Sequence, residues 1–234
     1  MDKKYIYFPS CNFTRMFPET SKAMKAFLSD RGVEVTACCR VSHQKIDEAT
    51  QKPLIICQTC QMIIAENHPD DLPKSVFIYL DSLEDVSWPD HNGETITVQD
   101  CFKALDDEHE MTPIDHIAER AAIRSLLKKM NYNVIELPGE KEELLFDSNM
   151  PTPRLAGNGK FAPKAFEALG KHHFSDAPDA PVCEDGPSLA EYGERFTSDV
   201  VGYCNNCMKM LYDAMPDGSL TAYHLAELLM GTKG

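Results

Sequence analysis

Apolar positions in this chain fall into two alternating kinds of segment. Ala23, Met24, Phe27 and Leu28 share one face at helical spacing, and Ile114, Ile117, Ala121, Leu126, Leu127 and Met130 do the same in the other half of the chain. Gly32 and Asn131 follow these segments where a left-handed helix stop is expected. The alternating triplets Val33-Glu34-Val35 and Tyr132-Asn133-Val134 come next and read as short strands, as do the apolar runs PLII, SVFIYL and SDVVGY. Strands that alternate with helices predict an α/β fold with largely parallel sheets.

The pattern also occurs twice. PLIICQTCQMIIAENHPDDLPKSVFIYLDSL resembles VVGYCNNCMKMLYDAMPDGSLTAYHLAELL, each an apolar run, a CxxC, a helical stretch, a polar loop with Pro and Asp, and a further apolar segment. The segments that open the halves match as well, each with a Cys, a helical pattern and a strand. The expected organisation is a tandem duplication, residues 1–92 and 93–234, each half Rossmann-like with a small, largely parallel sheet. The second half carries an insertion over about 138–190, rich in Pro, Gly and Asp and read as mostly loop. Both CxxC motifs then lie at the carboxyl ends of strands, where α/β folds place their ligands.

Charge and composition narrow the function. A net charge of −14 gives no cationic surface for a phosphate backbone, so nucleic acid is not the expected partner. No run of 18 or more apolar residues reads as a membrane span, and no secretory signal is read at the start, so a cytoplasmic address is expected. Nine cysteines suit metal or redox chemistry in that setting better than a disulfide framework.

Five of these thiols belong to the first half: Cys11, the adjacent pair Cys38-Cys39, and Cys57 and Cys60 of CQTC. All lie beside predicted strand ends, so folding can gather them at one sheet edge. A zinc ion or a cubane [4Fe-4S] cluster is closed by four ligands, one fewer than this set. One or two of the five could instead be buried core cysteines, the lesser alternative. The second half keeps Cys101, Cys204 and Cys207. Matching the two helix stops sets Leu137 and Pro138 opposite Cys38 and Cys39. Cys183, on the insertion, is a candidate fourth ligand for a zinc ion or second iron-sulfur cluster with Cys101, Cys204 and Cys207, and unmetallated redox thiols are the alternative.

At Cys11, Cys38-Cys39 and Cys57-x-x-Cys60 the chain resembles the CCG, or cysteine-rich, domain of the heterodisulfide reductase catalytic subunit and related iron-sulfur oxidoreductases. YFPSCNFTRM, CQTC and YHLAELL carry the resemblance most specifically. It implies a non-cubane [4Fe-4S] cluster held by Cys11, Cys38, Cys39, Cys57 and Cys60, and two-electron redox chemistry on a small thiol or disulfide substrate. The implied partner is an electron-donor or electron-acceptor protein, a ferredoxin-type or flavoprotein subunit, since the chain shows no flavin, nicotinamide or ferredoxin motif. A non-catalytic electron relay or a zinc-stabilised scaffold is the competing expectation.

Two features depart from the family pattern: Arg40 replaces the Gly of CCG, and the Cys39–Cys57 spacing is short. Arg40 could set a cation beside an anionic centre. His43 reads as a surface residue that could also give a proton to a departing thiolate. His172-His173 and the GNG at 157–159 lie on the insertion, the latter read as a turn.

Overall fold

The computed structural model describes residues 3–101, 116–137, 160–165, 167, 189–215 and 217–232. The first half runs β1 (Lys4–Phe8), α1 (Cys11–Met16), α2 (Pro18–Asp30), β2 (Glu34–Val35), α3 (Cys39–Ser42), β3 (Gln51–Ile55), α4 (Gln58–Asn67), β4 (Lys74–Ser75) and α5 (Val76–Asp81). The second runs β5 (Thr95–Gln99), α6 (His116–Lys129), β6 (Asn133–Glu136), α7 (Leu189–Gly193), β7 (Val200–Gly202), α8 (Asn205–Ala214), β8 (Ala222–His224) and α9 (Leu225–Met230). Each half forms one four-stranded sheet in which all pairings are parallel, with strand orders β2-β1-β3-β4 and β6-β5-β7-β8. The architecture is therefore α/β with two tandem Rossmann-like halves of the same topology.

Local chemistry explains the shared plan. Gly32 and Asn131 take φ of 75° and 60°, the left-handed conformation that ends a helix and turns the chain into the next strand. The central strands are apolar on both faces, as a sheet covered on both sides requires, with Ile6, Tyr7, Phe8, Leu54 and Ile55 all buried. At Gly202 the absent side chain matters, because a Cβ there would lie 2.9 Å from Met208 Sδ. Glycine lets α8 settle onto the end of β7.

Two expected elements change. SVFIYL is not a strand. Only Lys74–Ser75 extends the sheet, and Val76–Asp81 is helical. Ser75 caps that helix by accepting from the Phe77 amide at 3.2 Å, while Val76, Phe77 and Leu80 bury one face. The second difference is the phase of α6, where Ile117 is 73% exposed and Ala121 also faces solvent. Ala122, Ile123, Leu126 and Leu127 form the buried face instead, and in the first turn His116 and Glu119 occupy it. Ile114 and most of the 138–190 insertion, with Pro138, Gly157-Asn158-Gly159, His172, His173 and Cys183, lie outside the described residues.

The halves share one hydrophobic core. His224, at the end of β8, packs its ring against Phe13 and Phe17 of the first half at centroid distances of 4.9 and 5.1 Å. Phe77 stacks edge-on with Tyr203. Lys129 on α6 reaches Asp81 on α5 at 2.7 Å, and Thr20 bonds Thr232 at 2.7 Å. This joining seam runs past both CxxC motifs.

Candidate metal centres

In a parallel sheet every strand delivers its carboxyl end to the same edge, and this places the thiols. In the first half Cys11 follows β1 and opens α1, Cys38 and Cys39 follow β2, and Cys57 follows β3 as the N-cap of α4 with Cys60 in the first turn. In the second half Cys101 follows β5, and Cys204 caps α8 with Cys207 in its first turn. The CxxC spacing puts both thiols of each motif at a helix start, where unsatisfied N–H groups favour negative charge.

The second-half thiols meet. The Sγ atoms of Cys101, Cys204 and Cys207 all lie within 4.8 Å of one another, and the three residues are 0%, 6% and 2% exposed. Tetrahedral zinc with Zn–S bonds of about 2.3 Å needs sulfurs roughly 3.8 Å apart, so three soft donors stand close to a metal-ready spacing. This buried triad could hold a metal ion or a cluster. Hydrogen bonds with Cys101 and Cys204, reinforced by burial, push the Cys207 thiol well up, so its proton must leave when a metal enters.

A polar clamp fixes Cys101. Its amide donates to the Tyr203 hydroxyl oxygen at 3.1 Å, and that hydroxyl donates to Asp100 Oδ1 at 3.0 Å. Asp100 also accepts from Arg120 Nε at 2.8 Å and from both terminal nitrogens of Arg124 at 2.7 Å. Arg124 extends the network to Glu136 on β6. The ends of β5, β6 and β7 are thus tied together beneath the triad.

The first-half thiols are arranged differently. Cys11 is hydrogen-bonded with Cys38, while Cys60 makes thiol contacts with both Cys39 and Cys57. Exposure grades along the set: Cys39 and Cys60 are buried, Cys38 and Cys57 intermediate and Cys11 exposed. A hydrogen bond from Cys60, helped by one from Ser10, lowers Cys57 to about 6 against the opposing effect of burial. Burial and then the Cys38 hydrogen bond raise Cys11 to about 11. Ser10 holds φ at 58°, an uncommon conformation for a non-glycine residue, and its hydroxyl also accepts from the Phe13 amide at 3.4 Å. The backbone strain sits where the chain turns from β1 into the thiol edge.

The two thiol groups adjoin across the seam. Cys57 feels the Cys204 thiol electrostatically, and Gln58, next in sequence, donates to Glu119 Oε2 on α6 at 3.1 Å. Glu119 and His116 are each 2% exposed, with His116 Nδ1 3.8 Å from the same carboxylate oxygen. Neither residue stands out in the sequence, and the exposed Ile117 between them disguises the buried polar turn. Asp100, Arg120, Arg124 and Tyr203 carry no motif either. Their one legible signal is that Asp100 precedes the repeated Cys.

Of the remaining residues, Arg40 is exposed, near Phe161 at 5.5 Å and close enough to Cys11 to favour its thiolate. His43 is not on the surface: it is 7% exposed because the turn after α3 folds it against His68, with ring centroids 5.7 Å apart. Burial, with the neighbouring His68, lowers its pKa. His68 bridges Glu48 and the His43 carbonyl oxygen. Leu137 is half-buried and ends the described segment after β6. Among the described residues no disulfide joins the cysteines, and no helix is long and apolar enough to cross a membrane. No protein-family model, curated protein or solved structure matches the chain.

Proposed function

We propose that the protein is an iron-sulfur oxidoreductase, or the redox subunit of one, built from two CCG-type halves. The observation that supports this reading is the edge of the first sheet, where thiols from three strand ends make pairwise contacts, Cys11 with Cys38 and Cys60 with Cys39 and Cys57, although among the described residues the group of three mutually within 4.8 Å is Cys101, Cys204 and Cys207. Soft thiolates in this number fit an iron-sulfur cluster better than any hard-donor ion. Cys11, Cys38, Cys39, Cys57 and Cys60 would hold a non-cubane [4Fe-4S] cluster, which when bound supplies one-electron steps and a soft contact for sulfur. The chain's own part is to keep Cys57 ready to ionise, to leave the Cys11 side open to a small thiol or disulfide, and to set Arg40 beside it. Electrons would pass to or from a ferredoxin-type or flavoprotein partner. Nine clustered thiols suit metal or redox chemistry better than a disulfide framework, which fits a reducing compartment such as the cytoplasm.

Anaerobic reconstitution with iron and sulfide, followed by metal analysis and electron paramagnetic resonance, tests the reading. About four irons per chain are expected for a single cluster. Stoichiometric zinc with no iron taken up by the first-half thiols rejects it. The closed burial of Cys101, Cys204 and Cys207 favours a second reading, a zinc-stabilised scaffold subunit, because structural zinc sites are closed ones. Turnover of a disulfide with an artificial electron donor separates the two.

A further inference from the structure

Residues 160–165 belong to the insertion of the second half, yet their anchors lie on the first. The Lys164 and Ala165 amides donate to Glu66 Oε1 and Oε2 at 3.1 and 2.9 Å, and Asn67 Nδ2 donates to the Phe161 carbonyl oxygen at 2.8 Å. Residues 163–165 are helical, with Pro163 leading. Ala162, just before, has no side-chain acceptor for the amides that open a helix, so Glu66 supplies the cap from 98 positions away from Lys164. Ala162 is buried in the shared core, and Phe161 and Ala165 pack against it.

The same segment reaches the adjacent cysteine pair. The Phe161 ring lies 5.5 Å from the Arg40 guanidinium. Arg40 is in α3, the single turn that Cys39 opens and that the Cys38 carbonyl oxygen closes by accepting from the Val41 and Ser42 amides at 3.2 and 2.9 Å. Glu66 and Asn67 end α4, whose other end carries Cys57 and Cys60, and α3 packs on α4. The segment thus grips both elements that bear Cys38, Cys39, Cys57 and Cys60. One turn of helix does not hold itself in place, so the position of α3 depends on what packs against it.

We propose that residues 160–165 are a strap through which the second half closes the first-half thiol edge, holding the Cys38-Cys39 turn against α4 and keeping Cys39 buried. When the strap lets go, the turn opens. As regulation of a cluster site this rests on the reading of the first-half thiols given above, but its effect on the thiols themselves needs no metal. An occupant of the edge is retained while the strap is closed and released when it opens, so the second half governs the first without sharing its thiols.

The test uses the full chain, reduced and metal-free, treated with iodoacetamide and read by mass spectrometry of labelled peptides. Buried Cys39 reacts when its turn opens, whereas buried Cys207 reports unfolding. Losing a hydrogen-bond anchor to a charged group shifts such an opening by roughly tenfold, so Glu66→Ala should label Cys39 about tenfold faster with Cys207 unchanged. Phe161→Ala should act in the same direction, and Phe161→Tyr, which keeps an aromatic face toward Arg40, should restore the slow rate. Equal acceleration of Cys39 and Cys207 would assign the effect to lost stability and overturn the strap. Unchanged Cys39 labelling in both folded Glu66→Ala and folded Phe161→Ala would overturn it too. No metal enters the readout, so a chain that takes up no iron rejects the cluster reading separately.

Discussion

The two halves share a topology but present their thiols in opposite ways, and the strand registers show why. Phe8 pairs with Ile55 at the end of the first sheet, and Cys11 follows three residues later. Gln99 pairs with Gly202 at the end of the second, and Cys101 follows only two residues later. Cys57 and Cys204 each stand two residues past those same pairings. One residue of difference in the first loop turns Cys11 outward, and its absence turns Cys101 inward onto its CxxC. The first half thereby gains an accessible edge, with Ser10 in a strained conformation. The second gains a sealed triad with an ion-pair clamp beneath it. A duplicated fold has been divided into one thiol edge that solvent reaches and one that is sealed.

The sharpest way to break the comparison is at Cys38 and Cys39, which have no thiol counterpart in the second half. Serine replaces a soft thiolate by a hard, weakly acidic oxygen, so Cys38→Ser and Cys39→Ser should each lose or convert the cluster proposed for the first half while the chain stays folded. Iron analysis and the resonance signal report this. A full complement of iron with an unchanged signal in both variants would leave the five-thiol reading without support.

Alkylation compares the open and sealed thiols directly in the reduced, metal-free protein. The thiolate is the reactive form. With Cys57 lowered to about 6, its rate should climb through about pH 6 and flatten by neutrality. Cys11, raised to about 11, should still be accelerating above pH 9 despite its exposure. Buried Cys207 should react only on unfolding. Mass spectrometry of labelled peptides across pH reads all three, and a Cys57 profile that rises only near pH 9 would contradict the hydrogen bonds from Cys60 and Ser10.

The clamp distinguishes the halves energetically. Arg124→Met leaves the 7% exposed Asp100 carboxylate with Arg120 and the Tyr203 hydroxyl and should cost about 2–3 kcal/mol of stability, at the low end for breaking a buried pair. Urea unfolding measures the cost, and retention of iron by the first half would place the damage in the second. The smallest effect is at the first-half cap: Ser75→Ala should cost about 1 kcal/mol and leave metal content unchanged.

These differences were unevenly legible in the sequence. The duplication, the parallel α/β architecture, the helix stops at Gly32 and Asn131 and the position of both CxxC motifs at strand ends all follow from periodicity and spacing. SVFIYL misleads because its five consecutive apolar residues fit a buried strand as well as a short helix. The structure resolves this through Ser75, a capping signal that outweighs the β-propensity of the run. The start of α6 misleads more deeply. Ile117 suggests one buried face, while His116 and Glu119 occupy it, the kind of local inconsistency that gathers at functional sites. The Asp100 clamp is invisible for another reason: its members come from three strand ends and a helix and meet only when the second sheet is complete.

That last property also sets an order of events during biosynthesis. Asp100 and Tyr203 are 103 positions apart in sequence, and Cys101 cannot meet Cys204 and Cys207 before the latter have been made. The first half holds all of its thiols within residues 11 to 60, so they are synthesised before any thiol of the second. The nascent chain therefore passes through a stage in which the first-half thiols exist without the half that packs against them. Those thiols are open to oxidation until β7 arrives.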